Sequence, residues 1–390
     1  MEMSGPQAEA AVRAGVDALR QGRAEEARRL FEQVAKAAQC PLPPPLFLLA
    51  QACRHCGDDE AAERALDTLL LSEPHNIGAL ILKGDCRGRA GDTRAAVAFY
   101  ATALATAPQA GPLSPALVAE LKRVEAISRE AGGDFERKLE GHLAGAGIAP
   151  GARSRRFQSA LDILTGRKQV YLQEPSSFYF PGLPQIEFYE REAFSWLPAL
   201  EAAAPAMRAE LEALIGSGEG FEPYVRRHVG RPKPVNPLFE DPSWSACYLF
   251  ENGRPTEFAA RCPLTMAALD KAPMPVIAGR SPMALFSLLR PGTHIQPHHG
   301  LLNTRLICHV PLIASPGCRL RVGGEVRTVE PGKALVFDDS FEHEAWNEGS
   351  ETRVVLLFEI WRPEIDAADR RALTAMFEAI TRYQGAPRDY

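Results

Sequence analysis

Apolar and polar positions follow two different rhythms along this chain. In the first third the pattern is that of amphipathic helices arranged as a repeat. Segments beginning at Gln21 (QGRAEEARRLFEQVAKA), Cys56 (CGDDEAAERALDTLLLSEP) and Ala90 (AGDTRAAVAFYATALATAP) align with one another. Their glycines, Gly22, Gly57 and Gly91, lie 35 and then 34 residues apart, and Pro74 and Pro108 are also 34 apart. Each unit reads as two helices, with the glycine ending the first. Small residues at or near Ala27, Ala61 and Ala95 permit close packing. One such hairpin cannot bury its apolar face alone, so neighbours must stack into a solenoid. From about residue 284 the rhythm changes to short strand-like runs. Gly292, Gly323–Gly324, Pro331–Gly332 and Asn347–Glu348–Gly349 supply the turns between them.

The helical period resembles the tetratricopeptide repeat. After it, Ser114 is an N-cap candidate for one more helix, which Gly132–Gly133 should stop. "AGAGIAPGARS" at 144–154 reads as a boundary, 155–167 as helical, and about 190–216 as a further helix. The predicted fold class is a multidomain α+β chain. A TPR-like solenoid over 8–143 and a joint over 144–174 precede a second domain over 175–390. The core of that domain, 284–365, is expected to be a double-stranded β-helix of the jelly-roll or cupin type.

Composition changes little. The 390 residues are 46% hydrophobic and 24% charged with net charge −5, so there is no basic footprint for nucleic acid. No apolar run has the length of a membrane helix and no signal peptide is apparent, so a cytoplasmic location without membrane attachment is expected. The eight cysteines are scattered and are expected to be free thiols. Cys53 and Cys56 form a C-x-x-C pair, but the second pair of a four-cysteine zinc site is missing, and both fall near a helix end.

The candidate chemistry is concentrated in "THIQPHHGLLNTRLICHV", residues 293–310, which holds His294, His298, His299 and His309 of the chain's nine histidines. Strand parity puts Arg305, Ile307 and His309 on one face, and Arg319 with Arg321 on one face of another strand. It turns His299 away from His298 if the strand is regular. His343 follows an acidic turn, and Arg353 opens an apolar strand, where a guanidinium makes a good carboxylate clamp. Two histidines on different strands followed by an arginine form a pattern seen in non-haem iron oxygenases. Their facial triad is H-x-D/E…H, and here Gly300 stands where the acid belongs. His55, His75, His142 and His228 have no evident partners.

Residues 284–365 resemble the catalytic domain of aspartyl/asparaginyl β-hydroxylases, through "FSLLRPGTHIQPHHG", "NTRLICHVPL", "GKALVFDDSFEHEAWN" and "RVVLLFEIWRPE". A weaker likeness runs upstream through 242–265 to about 175. The resemblance implies dioxygenase chemistry using Fe(II), 2-oxoglutarate and O2, with only two protein ligands to iron, so Gly300 fits the family. By match to its motif, His298 and His343 would be those ligands. Ser287 and Arg353 would hold the distal carboxylate of 2-oxoglutarate, and His309 would contact its carboxylate end near the metal. Arg305 would point into the same pocket, toward substrate or cosubstrate. Ile307 departs from the pattern, since some members carry a basic residue there. Asp338, Asp339, Glu342 and Glu344 are candidates to orient the histidines, while His294 and His299 are expected to be bystanders or pocket lining. The implied substrate is an Asp- or Asn-type residue of a protein or peptide, with the repeats helping to present it. The alternatives are a small molecule or acyl chain, or a non-catalytic scaffold built on the repeats.

Overall fold

The computed structural model describes residues 3–37, 40–227 and 232–384, and the chain divides into two compact units, Met1–Thr165 and Gly166–Tyr390. His228 lies outside the described residues.

The first unit is helical: α1 (Gly5–Arg20), α2 (Ala24–Ala35), α3 (Leu46–His55), α4 (Asp59–Ser72), α5 (Ile77–Arg89), α6 (Thr93–Thr106), α7 (Pro115–Gly145) and α8 (Arg155–Leu164). The first six form the three expected hairpins. Gly22, Gly57 and Gly91 have φ of 76°, 78° and 82°, the left-handed conformation that ends a helix. In each case the next amide reaches back to close the last turn: Arg23 to Ala18, Asp58 to Cys53, and Asp92 to Arg87. Asp58 and Asp92 then cap the following helix, accepting from the amides of Ala61 and Ala95. A glycine–aspartate pair thus stops one helix and starts the next.

Packing inside the hairpins repeats with the same period. A Cβ on Gly15 would lie 2.5 Å from the Phe31 ring, and one on Gly84 would lie 2.4 Å from the Tyr100 ring. The equivalent pair in the middle hairpin is Ala50 with Leu66, both fully buried. The smaller Leu66 leaves room for the methyl group that the aromatic residues exclude. Cys53 lies inside α3, Cys56 is its C-cap, and all eight cysteines are free thiols.

Two expectations for the helices need correction. Gly132–Gly133 do not end a helix, because α7 runs 31 residues through them. Each glycine costs about 1 kcal/mol of helix propensity, but no proline or cap follows, and the Glu, Arg, Lys and Leu around them favour helix. The helix expected over 190–216 is interrupted. A 3₁₀ turn, Arg191–Ala193, precedes α9 (Leu197–Ala202) and α10 (Ala204–Ser217). No helix among the described residues is long and apolar enough to cross a membrane.

The second unit carries two antiparallel sheets. Its strands are β1 (Phe188–Tyr189), β2 (Glu222–Pro223), β3 (Trp244–Glu251), β4 (Arg254–Pro255), β5 (Ala284–Leu289), β6 (Thr293–His298), β7 (Arg305–Ile313), β8 (Cys318–Val322), β9 (Glu325–Thr328), β10 (Leu335–Phe337), β11 (His343–Asn347) and β12 (Arg353–Trp361). The larger sheet has the order β1-β10-β7-β12-β5-β3-β2, with β4 on β3; the smaller is β6-β11-β8-β9. Alternation sorts the core into two layers. Leu306, Cys308 and Val310 of β7, with Val354, Leu356 and Phe358 of β12, pack against α9, α10, α11 (Glu257–Arg261) and α12 (Pro263–Leu269). The opposite faces, including Ile307, Val355 and Leu285, meet Ile295, Leu320, Val322 and Ala345 of the smaller sheet. The helical repeat and the double-sheet β domain expected from the pattern are both present. The last helix, α13 (Ala367–Gln384), buries Leu373 and Phe377 with Trp361 and Ile277.

Candidate active site

A cavity opens between the two sheets, and His298, His343, Ser287, Arg305, His309 and Arg353 all line it. The predicted site residues, spread from 287 to 353, are therefore brought together. Cross-strand pairing does most of this. His298 ends β6 directly opposite His343, which begins β11, and their rings are 4.1 Å apart between centroids.

The strand carrying His298 is not regular. His343 pairs with His298, but Ala345 pairs with Ile295, so β6 contains one residue more than β11 across this interval. Such a bulge re-aims side chains next to it. Pro297 sits there, where its missing N–H is tolerated. As a result Ile295 and His298 both face the cavity, although strict alternation would separate them. His299 also lines the cavity, contrary to the parity expectation, because the strand ends at His298 and alternation stops with it.

Both imidazoles are oriented by backbone. His298 Nδ1 lies 2.8 Å from the carbonyl of Gln296, and His343 Nδ1 lies 3.0 Å from that of Phe341. A protonated Nδ1 donating to a carbonyl leaves Nε2 carrying the lone pair, the arrangement a metal-binding histidine needs. Burial pushes the pKa of each ring below the usual histidine value, His343 strongly, so both are neutral near pH 7.

The acids proposed to orient the histidines have other partners. Asp338 is fully buried and pairs with Arg362 at 2.5 Å. Glu342 pairs with Arg321 at 2.7 Å. Glu344 binds Arg321 and, at 2.7 Å, His294 Nε2. His294 lies outside the cavity, stacked on Trp346 with ring centroids 5.1 Å apart.

Asp339 answers the question posed by Gly300. A Cβ on Gly300 would fall 2.1 Å from Asp339 Oδ2, and the Gly300 amide donates to the Asp339 carbonyl at 2.6 Å. No side chain, carboxylate or otherwise, fits at residue 300 while Asp339 stays in place. Gly300→Ala should destabilise the fold by about 1–3 kcal/mol through overpacking. Asp339→Ala should recover part of that loss in a double-mutant cycle read by urea unfolding. Additive losses would place the strain elsewhere.

At the other end of the cavity Arg353 is 1% exposed, and its Nε and Nη1 have no hydrogen-bond partner. Burial lowers its pKa to about 10, so it remains a cation. Ser287 Oγ accepts from Trp244 Nε1 at 3.3 Å, which leaves its own O–H to donate. Buried His309 also has an unpartnered Nδ1. Native proteins rarely leave such atoms unsatisfied. Three of them in one cavity, beside a pair of neutral imidazoles, fit a metal with a small carboxylate ligand.

His309 has a further consequence. Burial, and next the nearby Arg353 charge, push its pKa from 6.5 down to about 3. The folded state thus refuses a proton that the unfolded chain accepts. Its stabilising contribution is complete above pH 6.5 and is lost as pH falls toward 3. Each such histidine lowers ligand-free stability by up to about 1.4 kcal/mol per pH unit in that window. Urea midpoints at pH 7 and pH 5 should show it, and His309→Phe should flatten the dependence.

Arg305 reaches the cavity as expected, but it is tied down. Glu359 holds its Nη1 at 2.7 Å and Asp339 lies 3.6 Å from its Nη2. Glu359 was not identified from the sequence. Neither was Trp244, whose ring is 6.4 Å from His298 and which stacks on Tyr224. No spacing or pattern marks either residue; Trp244 lies only within the weaker upstream likeness.

A family model described as aspartyl/asparaginyl beta-hydroxylase matches residues 201–363. Mouse aspartate beta-hydroxylase domain-containing protein 1 is 32% identical over 255 residues, covering 63% of this chain and 68% of that protein. The ornithine lipid ester-linked acyl 2-hydroxylase of Rhizobium tropici is 33% identical over 226 residues, covering 56% of this chain and 74% of the other. Mouse aspartyl/asparaginyl beta-hydroxylase is 40% identical over 141 residues, 36% of this chain. The chain spans only 19% of the length of that enzyme and 18% of its human counterpart. The family model covers β2 through β12, and with these relatives it places the chain in the aspartyl/asparaginyl β-hydroxylase family of hydroxylases.

Proposed function

We propose that this protein hydroxylates an unactivated C–H bond using Fe(II), 2-oxoglutarate and O2. One observation carries the reading: two facing neutral imidazoles share a cavity with a buried arginine whose Nε and Nη1 have no protein partner. His298 and His343 would hold the iron through Nε2. Arg353 and the Ser287 hydroxyl would bind the distal carboxylate of 2-oxoglutarate, and His309 would donate to its carboxylate end near the metal. The bound iron supplies oxidative chemistry that no side chain here provides. The residues orient the cosubstrate and exclude water.

Two substrate classes are compatible with this chemistry. One is an Asp- or Asn-type residue of a protein or peptide, with the helical repeats as a presenting surface. The other is an acyl chain or small molecule, the first of which is named for the Rhizobium tropici relative. The reaction itself is tested without knowing the substrate. Anaerobic protein given Fe(II) and then 2-oxoglutarate should develop a visible charge-transfer band, and air should then cause slow succinate release. Absence of both would overturn the proposal.

A further inference from the structure

Resting on that hydroxylase reading, we infer that Gln173 is a positioning residue for the iron centre. It touches neither imidazole. It acts on His343 through the turn that precedes that residue, and it lies on a segment outside residues 201–363, the part of the chain that the family model matches.

The orientation of His343 depends on the carbonyl of Phe341, 3.0 Å from its Nδ1. That carbonyl belongs to a tight turn organised by Asp338. Asp338 Oδ1 accepts from the Ser340 amide at 3.0 Å and from the Ser340 hydroxyl at 2.6 Å. The Asp338 carbonyl accepts from the Phe341 amide at 3.4 Å. An aspartate that accepts from the amide two residues on fixes the backbone of its own turn.

The second carboxylate oxygen is where Gln173 enters. Asp338 Oδ2 accepts from Arg362 Nη1 at 2.5 Å and from Gln173 Nε2 at 2.8 Å. Gln173 is buried. Its Nε2 also donates to the Pro184 carbonyl at 2.9 Å, and its Oε1 accepts from Asn303 Nδ2 at 3.0 Å. Two acceptors at one end and a donor at the other fix the orientation of the amide. The next residue, Glu174, donates its amide to the Ser340 carbonyl at 2.8 Å. Residues 173 and 174 therefore grip the turn at two points, the Asp338 carboxylate and the Ser340 carbonyl. Arg362 supplies the charge that buried Asp338 requires. What uncharged Gln173 adds is a fixed direction for the carboxylate, and so for the turn and the Phe341 carbonyl.

This support reaches only one of the two histidines. His298 Nδ1 faces the Gln296 carbonyl within its own strand. On that side the segment donates to the carbonyls of Gly300 and Leu301, beyond His298. Loss of the Gln173 amide should therefore loosen His343 and spare His298.

That asymmetry is the test. Gln173→Met keeps the length of the side chain and removes its hydrogen bonds. Histidine 15N NMR of the full-length, metal-free protein reports which ring nitrogen carries the proton, with His298→Ala and His343→Ala assigning the two signals. In the wild type both rings should carry it on Nδ1. In Gln173→Met, His343 should become a mixture of the two tautomers while His298 stays unchanged. Anaerobic Fe(II) titration of the same variant should show an affinity about tenfold lower, the lower end of the range for loss of an outer supporting group. Leu211→Ala serves as the comparison. It truncates a core residue of α10 on the face of the larger sheet turned away from the cavity. It should destabilise the fold and leave the tautomers and the iron affinity as they are in the wild type. A Gln173→Met protein with wild-type tautomers and iron affinity overturns the inference. An equal fall in iron affinity in Leu211→Ala also overturns it, because the loss would then follow general stability. Wild-type protein that binds no Fe(II) overturns the hydroxylase reading itself, and the inference falls with it.

Discussion

Replacing Arg353 by methionine should weaken 2-oxoglutarate binding by two orders of magnitude or more and, at the same time, stabilise the ligand-free protein. The two effects have one cause. Arg353 is 1% exposed, with Nε and Nη1 unpartnered, so the empty fold bears the cost of a buried guanidinium that no acid offsets. An unsatisfied buried donor costs about 1–3 kcal/mol, more when charged. Methionine fills much of the same space without polar atoms, so unfolding should become less favourable by at least about 1 kcal/mol. The ligand carboxylate is what would satisfy those donors, and truncating one side of a buried charge pair costs about 2–5 kcal/mol of binding. Calorimetric titration with 2-oxoglutarate and urea unfolding of the same variant measure both quantities. A variant that loses stability and keeps its affinity would show that Arg353 is a structural cation and not a clamp.

The second large effect is expected at the histidine pair. His298→Ala and His343→Ala should each reduce iron affinity by more than about 100-fold, beyond the range typical for loss of an outer supporting group. His294→Ala should leave it unchanged, since His294 sits outside the cavity against Trp346 and Glu344. Anaerobic Fe(II) titrations of the three variants separate a two-histidine centre from a general histidine-rich patch. Equal affinities for His298→Ala and His294→Ala would remove His298 from the proposed centre.

The legible part of the site was the part written in residue type and spacing. Gly300 after two histidines, His343 within its acidic turn and Arg353 at the head of an apolar strand could all be identified, and parity correctly grouped Arg305, Ile307 and His309. Parity failed at His299 because it assumes that the strand continues, and β6 ends at His298. The acids near His343 were attractive as orienting groups, yet the atoms that contact both Nδ1 positions are backbone carbonyls. Every residue has a carbonyl, so such a contact leaves no mark in a sequence. The pairing of Arg305 with Glu359 was equally hidden, since 54 residues separate them.

The sequence by itself determined the helical repeat, the existence of the β domain and the identity of the chemically distinctive side chains. Those features depend on interactions within a few residues: a left-handed glycine, an aspartate cap three residues from its amide, a strand's alternation. Only the tertiary structure decided which of those side chains face one another, that Asp339 fills the space beside Gly300, and that Arg305 is neutralised while Arg353 is not. Those outcomes depend on strand register and on a single bulge, which are set by packing between segments far apart in the chain.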